Sequence, residues 1–180
     1  MAMIPFGPTR TINKRYAELQ PQLYRLAWSW CRNADNAQDL VQETWAKALE
    51  RSSQLRDQEK LLHWMTRIMV NTYRDNQRRG HDDLNLDQVE ILGHDVTSEN
   101  LDRHDDIRRV QDAVAQLPDE QRLVLTLVDL MEFSYAEVAD TLELPIGTVM
   151  SRLSRSRKKL REFLTVERDE RRHMELRRVK

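Results

Sequence analysis

The sequence predicts an all-α protein: two small helical domains joined by a flexible acidic linker. Three observations carry that prediction. Only 4 glycines and 5 prolines punctuate 180 residues, and charged residues make up 33 % of the chain, a profile that favours helices over turn-rich sheets. Apolar residues recur three or four apart in successive windows, the period of one helix face. Between two such sets of windows lies 82–106, with nine acids, one arginine and weak periodicity, which reads as a connection.

Taken in order, Tyr16, Leu19, Leu23, Leu26, Ala27 and Trp30 mark a first amphipathic helix from Lys14 to Cys31, in which Pro21 is either a kink or the true start. "NADNAQDLVQETWAKALER" predicts a second, capped by Asp35 or Asn36, with Ala37, Leu40, Val41, Thr44, Trp45, Ala48 and Leu49 as its buried stripe. "SSQLRDQEK" is a polar connection. "LLHWMTRIMVNTYRDNQRR" predicts a third helix, packed through Leu61, Trp64, Met65, Ile68 and Tyr73, with Gly80 as its stop. After the acidic stretch, order resumes at Ile107, which shares a face with Val110, Val114 and Leu117. Pro118 ends that helix and opens "PDEQRLVLTLVDL". "SYAEVADTL" and "LPIGTVMSRLSRSRKKLRE" complete a second bundle of four helices.

The net charge of −1 conceals a cancellation. Residues 82–106 carry −8, whereas 145–180 hold twelve bases and five acids, or +7. Such block asymmetry points to charged partners. The single cysteine, Cys31, excludes an internal disulfide and a cysteine-rich zinc site, which suits a reducing cytoplasm. It reads as a packing residue rather than a redox sensor. His63, His81, His94, His104 and His173 share no metal-ligand spacing. No phosphate loop or nucleophile elbow is present, so no cofactor, metal or catalytic residue is expected. No apolar run approaches the ~18 residues of a membrane span, and no signal peptide is indicated.

"SYAEVADTLELPIGTVMSRLSRSR" has the layout of a helix-turn-helix. Ser134 and Glu137 form an S-x-x-E capping box, Ala139 is small where the second helix would cross, and Pro145 suits that helix's first turn. At about 100° per residue, Val149, Leu153, Ser156 and Leu160 fall inward. Ser151, Ser154, Arg155 and Lys158 fall outward, flanked by Arg152, Arg157 and Lys159. Arginine and serine can read base edges in the major groove, and flanking cations suit phosphates. A solvated basic helix would not need the capping box, short turn and opposed faces together.

These residues resemble a known family. "LPDEQRLVLTLVDLMEFSYAEVADTLELPIGTVMSRLSRSRKKLRE" resembles region 4 of extracytoplasmic-function sigma factors of the sigma-70 family, whose pattern runs LP-x-x-x-R, SY-x-E-[IV]-A, L-P-x-GTV-x-SRL-x-R-[AS]-R. "DNAQDLVQETWAKALE" and "WMTRIMVNTYRDNQRR" resemble regions 2.2 and 2.3–2.4. The matches are in the family's order and cover about two-thirds of the chain, Tyr16–Gly80 and Ile107–Leu164.

The resemblance implies a non-enzymatic subunit that binds core RNA polymerase, reads and melts the −10 element with region 2 and reads the −35 element with region 4. It implies domains at 1–81 and 107–164, a linker at 82–106 and a charged extension at 165–180. Core polymerase would meet Asp39, Gln42 and Glu43, with Leu40, Val41 and Trp45 packed beneath. The −10 element would meet Arg67, Asn71, Arg74, Arg78 and Arg79, whose first four lie along one face. Asp75 would be the structural partner of a neighbouring arginine. A flipped base would sit near the Ser52–Lys60 loop, with Trp64 or Tyr73 either stacking on it or serving as core. Promoter DNA and an anti-sigma factor are implied partners. The implied location is the cytoplasm without membrane insertion, where an anti-sigma factor could hold the chain at a membrane.

Three features depart from the pattern. Glu132 and Glu143 stand at turn positions often held by glycine, which costs roughly 1 kcal/mol each if φ is positive. Met150 replaces a common basic residue and could touch a thymine methyl. Thr165–Lys180 runs on past the motif as a solvated helix, supported by the Glu167–Arg171 pair. The acidic linker is either a plain tether or a segment that threads the RNA path of polymerase. Two rival readings remain: a DNA-binding regulator, which would not need "DLVQET", and a protein-interaction module, which would not explain the outward face at Ser151–Lys158.

Overall fold

A computed structural model describes the backbone of residues 8–82 and 101–178, and side chains at 12–79 and 107–165. Of the expected linker at 82–106, residues 83–100 fall outside the described residues. Helix α1 spans Pro8–Cys31, α2 Ala34–Glu50 and α3 Leu61–Asp82, with a 3-10 turn at Ser52–Gln54. Then follow α4 Leu101–Ala115, α5 Asp119–Asp129, α6 Tyr135–Leu142 and α7 Ile146–Arg178. There is no strand among the described residues.

In the first half, α1 packs on α2 and α2 on α3. The apolar stripes expected from periodicity are buried: Leu19, Leu23, Leu26, Ala27 and Trp30 from α1, Ala37, Leu40, Val41, Thr44 and Ala48 from α2, and Leu61, Met65, Ile68 and Tyr73 from α3. α1 runs through Pro21, which is exposed, so the turn missing its N–H faces water. Trp45 is partly buried and stacks on Tyr16, with ring centroids 4.2 Å apart.

The cap of α2 differs from expectation. Asn33, in extended conformation, accepts from the Asn36 N–H at 2.9 Å through Oδ1. Neither Asp35 nor Asn36 is the cap; Asp35 instead sits in the first turn, where a carboxylate favours the helix dipole. α3 continues past Gly80 to Asp82, and α4 begins at Leu101, six residues before Ile107. Ile107 and Val110 lie on the expected face of α4 but are 50 % and 43 % exposed, whereas Leu117 is buried.

In the second half, Pro118 sits just before α5, and its carbonyl accepts from Gln121 and Arg122 N–H at 2.9 Å. The capping box of α6 is present: Ser134 N–H donates to Glu137 Oε2 at 2.8 Å, and Glu137 N–H to Ser134 Oγ at 3.3 Å. Ser134 Oγ–H also donates to Glu137 Oε2 at 2.7 Å, and this bond, followed by the one from the Ser134 N–H, holds the Glu137 carboxyl below its usual range. Pro145 precedes α7 and its carbonyl accepts from Thr148 and Val149. Val149, Leu153 and Ser156 are buried and Leu160 partly so, the inward set expected. α7 continues helical to Arg178, as the reading of the extension predicted.

Periodicity did not announce that the halves pack together. α3 packs on α6, and α1 on α4 and α5. Across that junction the buried Trp30 Nε1–H donates to Thr126 Oγ1 at 2.9 Å. One apolar core runs through both halves.

Three non-glycine residues have positive φ: Arg32 at 56°, Glu132 at 59° and Glu143 at 57°. Both glutamates flagged from sequence are among them. Replacing exposed Glu132 by glycine removes a left-handed penalty of roughly 1 kcal/mol, partly offset by glycine's larger unfolded-state entropy. The expected net stabilisation is a few tenths to about 1 kcal/mol, read as a higher urea midpoint at unchanged slope.

Candidate nucleic-acid interface

The short turn Glu143–Pro145 sets α7 across α6, and burial of Val149 and Leu153 fixes its rotation. That rotation leaves Ser151, Ser154, Arg155, Arg157 and Lys158 exposed, with Arg152 and Lys159 half-buried. Arg155 lies back along the helix, donating to the Ser151 carbonyl and Oγ, each at 3.2 Å. Lys158 is 3.9 Å from Glu162 across one turn. Arg157 is tied to both carboxylate oxygens of Asp129, which raises its already high pKa further. Arg152 turns away from the outer surface to Glu120. Met150 is 52 % exposed beside the cationic row, in a shallow cleft with Tyr135, Ser154, Arg157 and Lys158.

The predicted −10 residues share α3 but not one environment. Asn71, Arg78 and Arg79 are exposed. Arg78 contacts Asp75, the structural role expected of Asp75, and this hydrogen bond is the main reason its carboxyl lies below the usual range. Arg67 and Arg74 instead face the second half. Arg67 is 2.8 Å from Glu143 and 3.5 Å from Asp140, and Arg74 is 3.2 Å from both oxygens of Glu120. The Ser52–Lys60 loop and Trp64 form one wall of a cleft whose other wall is Ala136, Glu137, Asp140 and Thr141 of α6. Trp64 is partly buried there, whereas Tyr73 is core, 3 % exposed, its hydroxyl raised in pKa chiefly by burial.

On α2, Asp39 and Gln42 are exposed and Glu43 is half-buried. Glu43 is held by Lys47 at 2.8 Å and by Asn76 at 3.1 Å, with the Lys47 bond the main cause of its lowered pKa. Gln42 reaches Tyr16 OH at 3.5 Å.

Periodicity missed the acids that meet these cations: Glu120, Asp129, Asp140 and Glu143. It also missed His63, whose ring stacks on Phe133 at 4.1 Å and whose Nε2 lies 2.9 Å from Glu137 Oε1. Only Glu143 carried a signal, a charged residue where glycine is usual. Among the described residues no His, Cys, Asp and Glu cluster could hold a metal, and no helix is long and apolar enough to cross a membrane.

Cys31 is half-buried at the end of α1, and burial pushes its thiol up to about 11. At pH 8 its thiolate fraction is then roughly a hundredfold below that of a free cysteine. Iodoacetamide should alkylate the folded chain slower by that order, and urea should abolish the difference.

Comparison with known proteins completes the assignment. Residues 15–82 match the family described as Sigma-70 region 2, and residues 107–160 that described as Sigma-70, region 4. The RNA polymerase sigma factor HrpL of Pseudomonas syringae is 31% identical over 140 residues, covering 73% of this chain and 74% of that protein. The ECF RNA polymerase sigma factor EcfG of Rhodopseudomonas palustris is 32% identical over 150 residues, covering 82% and 81%. Among solved structures, the sigma factor RpoE in complex with the anti-sigma factor NepR, from Bartonella quintana, superposes with TM-score 0.71 at 29% identity, covering 86% of this chain and 96% of that one. With region 2 and region 4 in order on an all-helical frame, the chain belongs to the extracytoplasmic-function sigma factors of the sigma-70 family, which direct core RNA polymerase to promoters.

Proposed function

We propose a division of this promoter-reading task among the residues above. Residues 107–164 read the −35 element and residues 1–81 bind core polymerase and read and melt the −10 element. Residues 82–106 connect them, and 165–180 form a charged extension. The observation that carries the proposal is the sorted surface of α7, apolar inward at Val149 and Leu153, hydroxyl and cationic outward at Ser151, Ser154, Arg155 and Lys158. Arg155 is the residue best placed to read a base, since among the described residues its hydrogen-bond partners are groups of its own helix, which a guanine edge can replace. Ser151 and Ser154 lie beside it. Arg152, Arg157, Lys158 and Lys159 suit phosphates.

On α3, Arg67, Asn71, Arg74, Arg78 and Arg79 are proposed to hold the −10 strand. The Ser52–Lys60 loop and the partly buried Trp64 beside it are proposed to receive an extruded base. Exposed Asp39 and Gln42, with Glu43 held beside them, form an acidic and amide row suited to a basic surface of polymerase. The chain contributes binding energy and position, and the chemistry of RNA synthesis belongs to the core enzyme. Its place is the cytoplasm. An anti-sigma factor is a natural regulator, given the solved relative bound to one.

Run-off transcription tests this directly. The chain is mixed with sigma-free core polymerase and genomic promoter fragments. Discrete transcripts dependent on the chain are expected; DNA binding without a transcript from any fragment would favour a plain regulator. Arg155→Ala should lose ~1–3 kcal/mol of binding on the preferred −35 sequence and much less on others. A loss equal for all sequences would make Arg155 a phosphate contact.

A further inference from the structure

Two large apolar side chains stand exposed beside the cations of α7. Ile146 is 51 % exposed and Met150 52 %, and they lie one turn apart at the start of the helix. The residues that α7 buries there are Val149 and Leu153, so the bundle does not use Met150 for packing. Met150 instead borders a shallow cleft with Tyr135, Ser154, Arg157 and Lys158. The guanidinium of Arg157 is drawn aside to Asp129, and that of Arg155 lies back along the helix on Ser151. A methionine left in water gains none of the free energy that burial would give it; a partner that covers it would supply that gain.

The residues around it keep the helix surface low. Gly147, Ser151 and Ser154 are all small and exposed. A side chain added at Gly147 would meet no heavy atom within 4 Å. Glycine is a poorer helix residue than alanine, and among the described residues nothing occupies the space an alanine methyl would need. A low surface lets a recognition helix sit deep in the major groove, where its N-terminal residues meet base edges. Met150, the fifth residue of α7, has the longest side chain from Ile146 to Ser151. It is unbranched, polarisable and adapts to the shape it meets. The apolar group exposed on the floor of the major groove is the C5-methyl of thymine.

We propose that Met150, with Ile146 one turn before it, is a specificity-determining residue that packs on the C5-methyl of a thymine in the −35 element. The inference rests on the proposed reading of that element by α7 and adds to it the identity of one base. Arg155 reads through hydrogen bonds, which a guanine edge accepts. Met150 reads through burial, which needs only a methyl. A lysine or arginine at 150 would seek a phosphate or a guanine instead. Four residues of helix rise about 6 Å, close to two base-pair steps of about 3.4 Å each. Ile146 therefore extends the apolar strip toward a neighbouring pair and leaves the thymine methyl to Met150.

Deoxyuridine tests the contact, because it differs from thymidine by the C5-methyl alone. The full chain, by itself and with core polymerase, selects preferred duplexes from a random-sequence pool. Each thymine of the selected sequence is then replaced singly by deoxyuridine, and affinity is measured. Burying one methyl corresponds to about a fourfold change in affinity, so wild type should lose about fourfold at the thymine under Met150. Met150→Ala should bind the thymine duplex about as weakly as wild type binds the deoxyuridine duplex, and should lose nothing more on the exchange. Met150→Lys should be equally indifferent to the methyl. Arg155→Ala should bind more weakly yet keep the fourfold methyl effect, which separates the two contacts. Circular dichroism should show wild-type helix content in all three variants. A selected sequence without thymine, no loss on any exchange, or an undiminished loss in Met150→Ala would each overturn the contact. Methyl dependence on duplexes selected by the chain alone, with no run-off transcript from the polymerase mixture, would uphold the contact and count against the sigma reading alone.

Discussion

The arrangement of the molecule depends on one buried hydrogen bond, from Trp30 Nε1 to Thr126 Oγ1 at 2.9 Å. Trp30 is the last large residue of the α1 stripe and is 2 % exposed. An indole N–H so deeply placed needs an acceptor, and among the described residues none of the first half is its partner. Thr126 does so from the middle of α5, while its own hydroxyl donates back to the Arg122 carbonyl at 2.8 Å. The bond thus fixes where α5 sits on α1. With that set, α6 lies over α3, and the acids of the second half fall opposite the arginines of the first. Such a bond specifies register without making the junction permanent. On opening, water satisfies both groups, so the net cost is about 1 kcal/mol rather than the several that an orphaned group would impose.

Charge follows the same logic. The sequence suggests that neutrality comes from an acidic 82–106 block offsetting a basic 145–180 block. Among the described residues, however, the acids that meet the cations proposed to face DNA come from within the helical halves. Asp129 holds Arg157, Glu120 holds Arg74 and Arg152, and Glu143 and Asp140 hold Arg67. Arg155 is held differently, folding back on Ser151. A basic groove-reading surface would otherwise attract any polyanion through its field. Neutralising its flanks with local carboxylates lowers nonspecific attraction while leaving the arginines available to a ligand that offers more contacts at once.

How much of this was legible follows from the range of each interaction. The buried stripes, the Ser134–Glu137 box and the inward set of α7 depend on residues three or four apart, and sequence period reports them. The contact between halves depends on pairs such as Trp30 with Thr126 and Arg67 with Glu143, where no local pattern marks the partner. Boundaries failed where two local signals competed. Asn33 won the cap of α2 because its extended backbone points Oδ1 at the Asn36 N–H. α4 starts at Leu101 although composition placed 101–106 with the linker. Of the site, the outward row on α7 and the Asp75 contact were readable. The inward turn of Arg67, Arg74 and Arg152 was not, since all three look like solvent-facing cations in sequence.

Glu143 joins these strands. It ends α6 at φ 57°, its N–H bonding the carbonyls of Ala139 and Asp140, a role glycine fills without a Cβ penalty. Glu132 sits in the same conformation, yet no ion pair of its own is described. The two are therefore not equivalent departures from glycine. At 132 the strain of roughly 1 kcal/mol has no visible compensation. At 143 the left-handed turn projects a carboxylate onto Arg67 across 76 residues. An exposed ion pair contributes only about 0.2–1 kcal/mol, so the exchange is near balance in stability. What glutamate adds that glycine could not is a salt-sensitive link between the turn that ends α6 and the face of α3.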